Sequence, residues 1–378
     1  MGYSLALLVV GAALLASHLY PWIHLSGYLT TIEPTDNKQC QRIEGPLGFR
    51  NCEDIIIAAP GIAYTSCDPA RDYDNMVMDV HRPKEREEQG HVWRIDYMSD
   101  PPTVRKIFEG SSDFHPLGMT LDKDRLYIIN LAHHAPASVE VFEIVSDALR
   151  HVQTIRHPFI HTPNSISSWG NDGSFFFTND HHFIRGIPKV IENYARIPLG
   201  SLGFYNATSQ EAYKVKGGLL FPNGVECDKS QSTVFVAETY KMEVKKYAVV
   251  VQEEDGKLQV SAAAVDQIKV PGTSVDNLHY DKVSGDLIIS GHPNGLALVK
   301  KCQHATEQEN VPMPPSRIVV WHTTSTTTTH TQSKMETVFE DDGTTYGSAS
   351  TGATDHKNNK LLISGLYEKG IMICDRSL

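Results

Sequence analysis

The feature that most constrains this chain is a recurring unit: a polar turn, a strand of four or five apolar or aromatic residues, a short loop, and a second strand. Asp122-Lys123-Asp124 leads into Leu126–Ile129, with Val139–Phe142 after it. Asn171-Asp172-Gly173 leads into Phe175–Phe177 and then Leu202–Tyr205. Asp228-Lys229-Ser230 leads into Val234–Val236 and then Val244–Tyr247, while Ser284-Gly285-Asp286 leads into Leu287–Ile289 and then Leu296–Val299. His356–Asn359 leads into Leu361–Ile363 and then Ile371–Ile373, and Ile55–Ile57 with Ile62–Tyr64 makes a sixth unit near the start. The spacing is roughly 50–75 residues, the length of a four-stranded blade with its loops. One four-stranded sheet cannot bury both faces, whereas a closed ring gives every blade two neighbours. The pattern therefore predicts an all-β fold, a six-bladed β-propeller formed by residues 23–378 as one domain. A β-sandwich is less natural for so many similar hairpins.

Two stretches depart from the repeat. Residues 302–335 read as a surface excursion, polar and Pro-containing at first and then Thr-rich (TTSTTTTHT from Thr323). At the other end, Leu5–Ala16 is an unbroken run of apolar or small residues. A bilayer core needs about 20 such residues and a signal h-region about 7–15. Residues 1–22 are accordingly expected to be a signal peptide or an uncleaved N-terminal anchor, sending the chain along the secretory route to an extracellular or membrane-anchored location. In that setting Asn206-Ala207-Thr208 is a glycosylation acceptor at Asn206. A net charge of −11 and the absence of a basic run exclude nucleic acid as a natural partner. Six Cys in 378 residues are too few for a disulfide scaffold, while 18 His keep acid–base and metal chemistry in play.

Propeller loops converge on a central tunnel, so polar residues beside apolar strands are the candidates for chemistry. Four clusters qualify: Glu53-Asp54 ahead of the first strand, Pro163–Ile166, Phe221–Gly224 and Val275–Leu278. Each sets a carboxylate or amide oxygen between apolar neighbours, and such oxygens suit a hard cation, since calcium takes about 6–8 of them. Zinc patterns are missing, with neither CxxC nor HExxH in the sequence. A lone Asn in such a place is ordinarily a satisfied turn residue; four clusters at blade spacing raise the cation alternative to parity.

Residues 177–183 (FTNDHHF), 221–224 (FPNG), 236–238 (VAE), 275–277 (VDN) and 291–295 (GHPNG) occur in the order found in the paraoxonase/arylesterase family, which the chain resembles over most of residues 40–374. The resemblance implies a six-bladed propeller with two calcium ions in its tunnel that hydrolyses lactones and aryl esters. It implies that Glu53, Asn164, Asn223, Asp276 and Asn277 surround a catalytic calcium. A buried structural calcium would use Asp54 and the carbonyl of Met119, but Ser165 stands where the family has an Asp, so the second ion is expected to bind less tightly. Cys40 and Cys374 match the pair that joins the family's chain ends, closing the ring; the pairing of Cys52, Cys67, Cys227 and Cys302 stays open. Leu117 stands where the family has its proposed histidine base, so His115, or His133 or His134, would have to assist. His181 and His292 match histidines of the family's pocket wall. The implied partner is a small lipophilic ester or lactone, with a lipid surface as a further partner through the N-terminus, and a monomer is expected. Replacement of the base by Leu117 leaves a second reading, a calcium-stabilised binding propeller with little or no esterase activity. A metal-free propeller of the strictosidine-synthase type is disfavoured because it lacks the Glu53, Asn223, Asp276 and Asn277 set.

Overall fold

The computed structural model describes residues 19–82, 88–111, 113–254, 257–306, 311–323 and 335–375. Six four-stranded antiparallel sheets are arranged radially. From the innermost strand outward, blade I is Cys52–Ala59, Ile62–Cys67, His91–Asp96 and Thr103–Glu109. Blades II to V begin at the inner strands Pro116–Asp122, Pro163–Ser168, Pro222–Asp228 and Ser274–Tyr280. Blade VI runs Ala349–Asp355, Lys360–Gly365 and Ile371–Asp375, and takes its outermost strand, Cys40–Ile43, from the other end of the chain. Each inner strand lies against the inner strands of both neighbours, so the ring is closed.

The physical cause is visible in where the core sits. Each pair of adjacent blades shares an apolar cluster: Ile55, Trp93 and Ile95 meet Leu362 and Ile373 between blades I and VI, and Val225 and Val236 meet Phe176 and Phe204 between blades IV and III. The other four interfaces are filled in the same way. Fully burying one such side chain contributes about 1.5–3 kcal/mol, which no blade could gain alone. The hairpins seen as repeats in the sequence supply mostly second and third strands, while the polar clusters belong to the inner ones.

The ends are fastened by a disulfide between Cys40 and Cys374, which face each other in register, and a second disulfide joins Cys52 to Cys67 across blade I. Cys227 and Cys302 are buried free thiols.

Three expectations are corrected. Leu296–Val299 lies in an α-helix, Gly295–Gln303, because Asn294 caps its N-terminus by accepting from the Ala297 amide at 2.8 Å. Glu53 and Asp54 lie within the innermost strand of blade I rather than ahead of it. Residues 302–335 are not wholly a surface excursion, since Cys302 and Ala305 are buried and Ser316–Trp321 is the third strand of blade V. Most of the Thr-rich run and the apolar run 5–16 lie outside the described residues.

Candidate active site

All six inner strands carry a break in register near their starts, between Cys52 and Asp54, Pro116 and Met119, Pro163 and Ile166, Pro222 and Val225, Val275 and Leu278, and Ala349 and Thr351. A bulge leaves a residue unpaired and re-aims its side chain. The bulged positions include Glu53 in blade I, Leu117 in II, Asn164 in III, Asn223 in IV, Asp276 with Asn277 in V and Ser350 in VI. Such a small circle needs close backbone approach. A Cβ on Gly118 would come within 2.8 Å of the Asn164 carbonyl, and one on Gly224 within 2.7 Å of the Asp276 carbonyl. Gly118 and Gly224 are therefore packing residues.

Glu53, Asn164, Asn223 and Asp276 line one central cavity together with Asp68, Arg71, Asp74, His115, Leu117, His133 and His292. Asn277 is buried next to it, donating to Glu53 Oε1 at 2.9 Å and to Thr351 Oγ1 at 3.0 Å. The decisive feature is what the oxygens lack. Glu53 Oε2 and the Oδ1 atoms of Asn164, Asn223 and Asn277 are buried with no hydrogen-bond partner among the described residues. One such atom costs about 1–3 kcal/mol, so four together call for a ligand. Other groups fix the side chains: Asp180 accepts from the Asn164 amide nitrogen at 3.3 Å, and His292 Nε2 lies 2.8 Å from Asp276 Oδ2. Burial, reinforced by Asp276 and Asp54 and opposed by Arg71, pushes the Glu53 carboxyl up to about 8. Among the described residues no three His, Cys, Asp or Glu side chains gather as a metal cluster, so a cation here depends on the amide oxygens. A hard, oxygen-seeking cation fits this set.

The neighbouring position differs. Asp54 Oδ2 accepts from the Met119 amide at 2.7 Å, and Oδ1 accepts from the Ile55 amide and the Thr351 hydroxyl. Ser165 Oγ accepts from the Val225 amide at 3.2 Å. The Asp54 and Ser165 oxygens thus carry hydrogen bonds, unlike the four unpartnered oxygens beside the cavity.

Beside the oxygens stand two histidines, each backed by a carboxylate. His115 Nδ1 lies 3.2 Å from Asp68 Oδ2, and His133 Nδ1 lies 3.6 Å from Asp74 Oδ2. Burial would raise the Asp68 carboxyl, but His115 and Arg71 hold it below its ordinary range. Leu117 faces the same cavity and also packs into the core between blades II and III. His134 is exposed and lines a neighbouring cavity of about 590 Å³, which shares His133 and Leu131 with the central one. His181 is buried behind Phe221, ring centroids 4.8 Å apart, held by Asp180 at 2.8 Å, while His292 reaches the cavity itself. Phe221 has φ of 51°, a left-handed conformation costly for a bulky residue, and lines the cavity wall.

A family model described as arylesterase matches residues 59–375. The chain belongs to the arylesterase family. The chain is 27% identical to serum paraoxonase/lactonase 3 of Oryctolagus cuniculus over 307 residues, covering 78% of this chain and 80% of that protein. It is 26% identical to serum paraoxonase/arylesterase 2 of Gallus gallus over 310 residues, covering 79% and 82%. With serum paraoxonase/arylesterase 1 of Homo sapiens it shares 25% identity over 379 residues, 97% of this chain and 98% of that one. Ester hydrolysis is thus the chemistry of its relatives.

Sequence reasoning missed Asp68, Arg71 and Asp74. Asp68-Pro69 offered a signal, an Asx cap followed by Pro, and Asp68 does cap the turn Pro69–Asp72. Only the fold shows that this turn and the short hairpin of Asp74–Asn75 with Val80–His81 border the cavity.

Proposed function

We propose that this chain is a calcium-dependent hydrolase of lactones and aryl esters that works with a single ion. The observation that carries the reading is the set of four buried, unpartnered oxygens from blades I, III, IV and V, beside a carboxylate-backed histidine. Glu53, Asn164, Asn223, Asp276 and Asn277 would hold the ion. When bound, calcium would polarise the ester carbonyl and stabilise the charge that develops on its oxygen. Asp276 and Glu53 would offset the ion's charge, and the three amides would add oxygens without further repulsion.

The protonation step falls to His115. Asp68 accepts from Nδ1, which leaves Nε2 as the basic nitrogen to take a proton from the attacking water. Asp68 then stabilises the imidazolium, and the proton passes to the departing alkoxide. Leu117 supplies shape rather than a proton site. Met76, Val77, Leu131, Leu298 and Val299 make much of the wall apolar, which suits a lipophilic acyl group.

Exposed Leu19, Tyr20 and Ile23, with Ile187, Val190 and Ile191 of the helix Ile187–Tyr194, support docking of this face to a lipid surface. That suits a secretory route like that of the serum relatives, with Asn206 at a strand end as the glycan acceptor. Among the described residues no helix is long and apolar enough to cross a membrane.

The second reading, a binding propeller, is favoured by Leu117 at the bulge of blade II. A chelation-and-readdition assay on a panel of lactones and phenyl esters separates the two. Turnover lost with chelator and restored by calcium supports the hydrolase; calcium binding without turnover of any ester supports the binding propeller.

A further inference from the structure

Arg71 has no place in the steps above, yet it is only 5% exposed and borders the central cavity beside Glu53, Asp68 and His115. Its neighbours have taken the acceptors it would use. Asp72 Oδ2 pairs with Arg50, and Oδ1 accepts from Asn51. Asp68 accepts from the Ala70 amide and faces His115. Arg82, from the same segment, is spent on the carbonyls of Asp72 and Cys302. Arg71 is left, among the described residues, with no carboxylate oxygen within ion-pair distance and one long hydrogen bond, from Nη2 to the Pro116 carbonyl at 3.5 Å. A buried guanidinium is expensive unless an anion pairs with it, and its planar fork of five N–H donors matches a carboxylate in two-point contact.

We propose that Arg71 binds a carboxylate carried by the substrate, so that the preferred class is lactones or esters that already bear one negatively charged group away from the reacting carbonyl. This rests on the hydrolase reading for the reaction, though not for the binding. The cavity also holds the carboxylates of Glu53, Asp68, Asp74 and Asp276. An anionic substrate is therefore admitted only once a cation offsets Glu53 and Asp276, which makes binding ordered, calcium before substrate.

The test has two arms on the full chain with calcium. Calorimetry with glutarate, an inert dicarboxylate, reads binding without catalysis. Kinetics on a neutral lactone and the same lactone bearing a carboxylate reads selectivity as the ratio of the two kcat/KM values. Arg71→Gln should weaken glutarate at least about tenfold and lower the ratio by a similar factor, with Arg71→Lys falling between. A ratio unchanged in Arg71→Gln, with both substrates slowed equally and normal melting, overturns the proposal by making Arg71 a support for the oxygens around it. Inhibition of neutral-lactone turnover by its own hydroxy acid, relieved in Arg71→Gln without a change in the ratio, also overturns it by assigning Arg71 to the product. If no ester is hydrolysed but glutarate binds through Arg71, the anion site stands and the hydrolase reading falls.

Discussion

The imidazole of His115 lies flat on that of His133, with ring centroids 3.7 Å apart and planes 8° from parallel. Each ring has its own carboxylate, Asp68 or Asp74, so a proton gained by His115 is compensated from the side while His133 fixes the ring from its face. Removing the Asp68 charge should disable the base without touching the oxygens that would hold calcium. Asp68→Asn is expected to lower kcat for a lactone about 10²- to 10⁴-fold and to shift the acid-side, rising limb of the pH–rate profile, with calcium affinity changed less than threefold. Equal losses in turnover and calcium affinity would show that Asp68 serves the ion instead.

Asp276 is one of two carboxylates proposed to balance the cation. Asp276→Ala should abolish both tight calcium binding and ester turnover, and the melting temperature should stop responding to added calcium. Full activity in the presence of a strong chelator sinks the metal reading outright.

Asp54 and Ser165 make hydrogen bonds where the resemblance implies a second ion. Calorimetric titration of the chelator-stripped chain should return one calcium per chain. Ser165→Asp, which restores a carboxylate opposite Asp54 and removes the bond to Val225, should raise the count to two. A wild-type count of two contradicts the hydrogen-bonded account.

Acid stability should carry the signature of Asp68. Burial pushes its carboxyl up, but His115 and Arg71 more than reverse that, so the folded state holds the proton less tightly than the unfolded chain. The pair's contribution is therefore fully present above the unfolded carboxylate value of about 3.9 and is lost as pH falls through the lower folded value. Melting curves from pH 5 downward should fall less steeply for Asp68→Asn than for wild type; parallel curves refute the linkage.

The Cys40–Cys374 bond spans 334 positions, so it constrains the unfolded chain heavily. In the chain-entropy model a loop of that length is worth about 6 kcal/mol. Cys40→Ser should lower the melting temperature by several degrees under oxidising conditions and leave it unchanged in reductant.

Much of this molecule could be read from the chain. The hairpin repeat gave the blade number because apolar alternation is local, and the four polar clusters stood out because Glu53, Asn164, Asn223 and Asp276 interrupt apolar strands at similar spacing. Less legible was anything set by bulges. A break in register looks in sequence like one residue more or less, so Glu53-Asp54 read as a loop. The helix at Leu296–Val299 read as a strand because its four apolar residues lack a period, and only the Asn294 cap marks it. Asp68, Arg71 and Asp74 were invisible as a set, because what unites them is a turn and a hairpin placed over the cavity by the whole ring.

Blade VI draws one strand from residues 40–43 and three from the last stretch of the chain. A nascent polypeptide emerging from the ribosome can therefore build a crescent of five sheets, yet its circle stays open until synthesis is nearly complete. Truncation between the end of blade V and the final sheet should leave a product whose cation affinity collapses, even though every proposed liganding side chain has already been made.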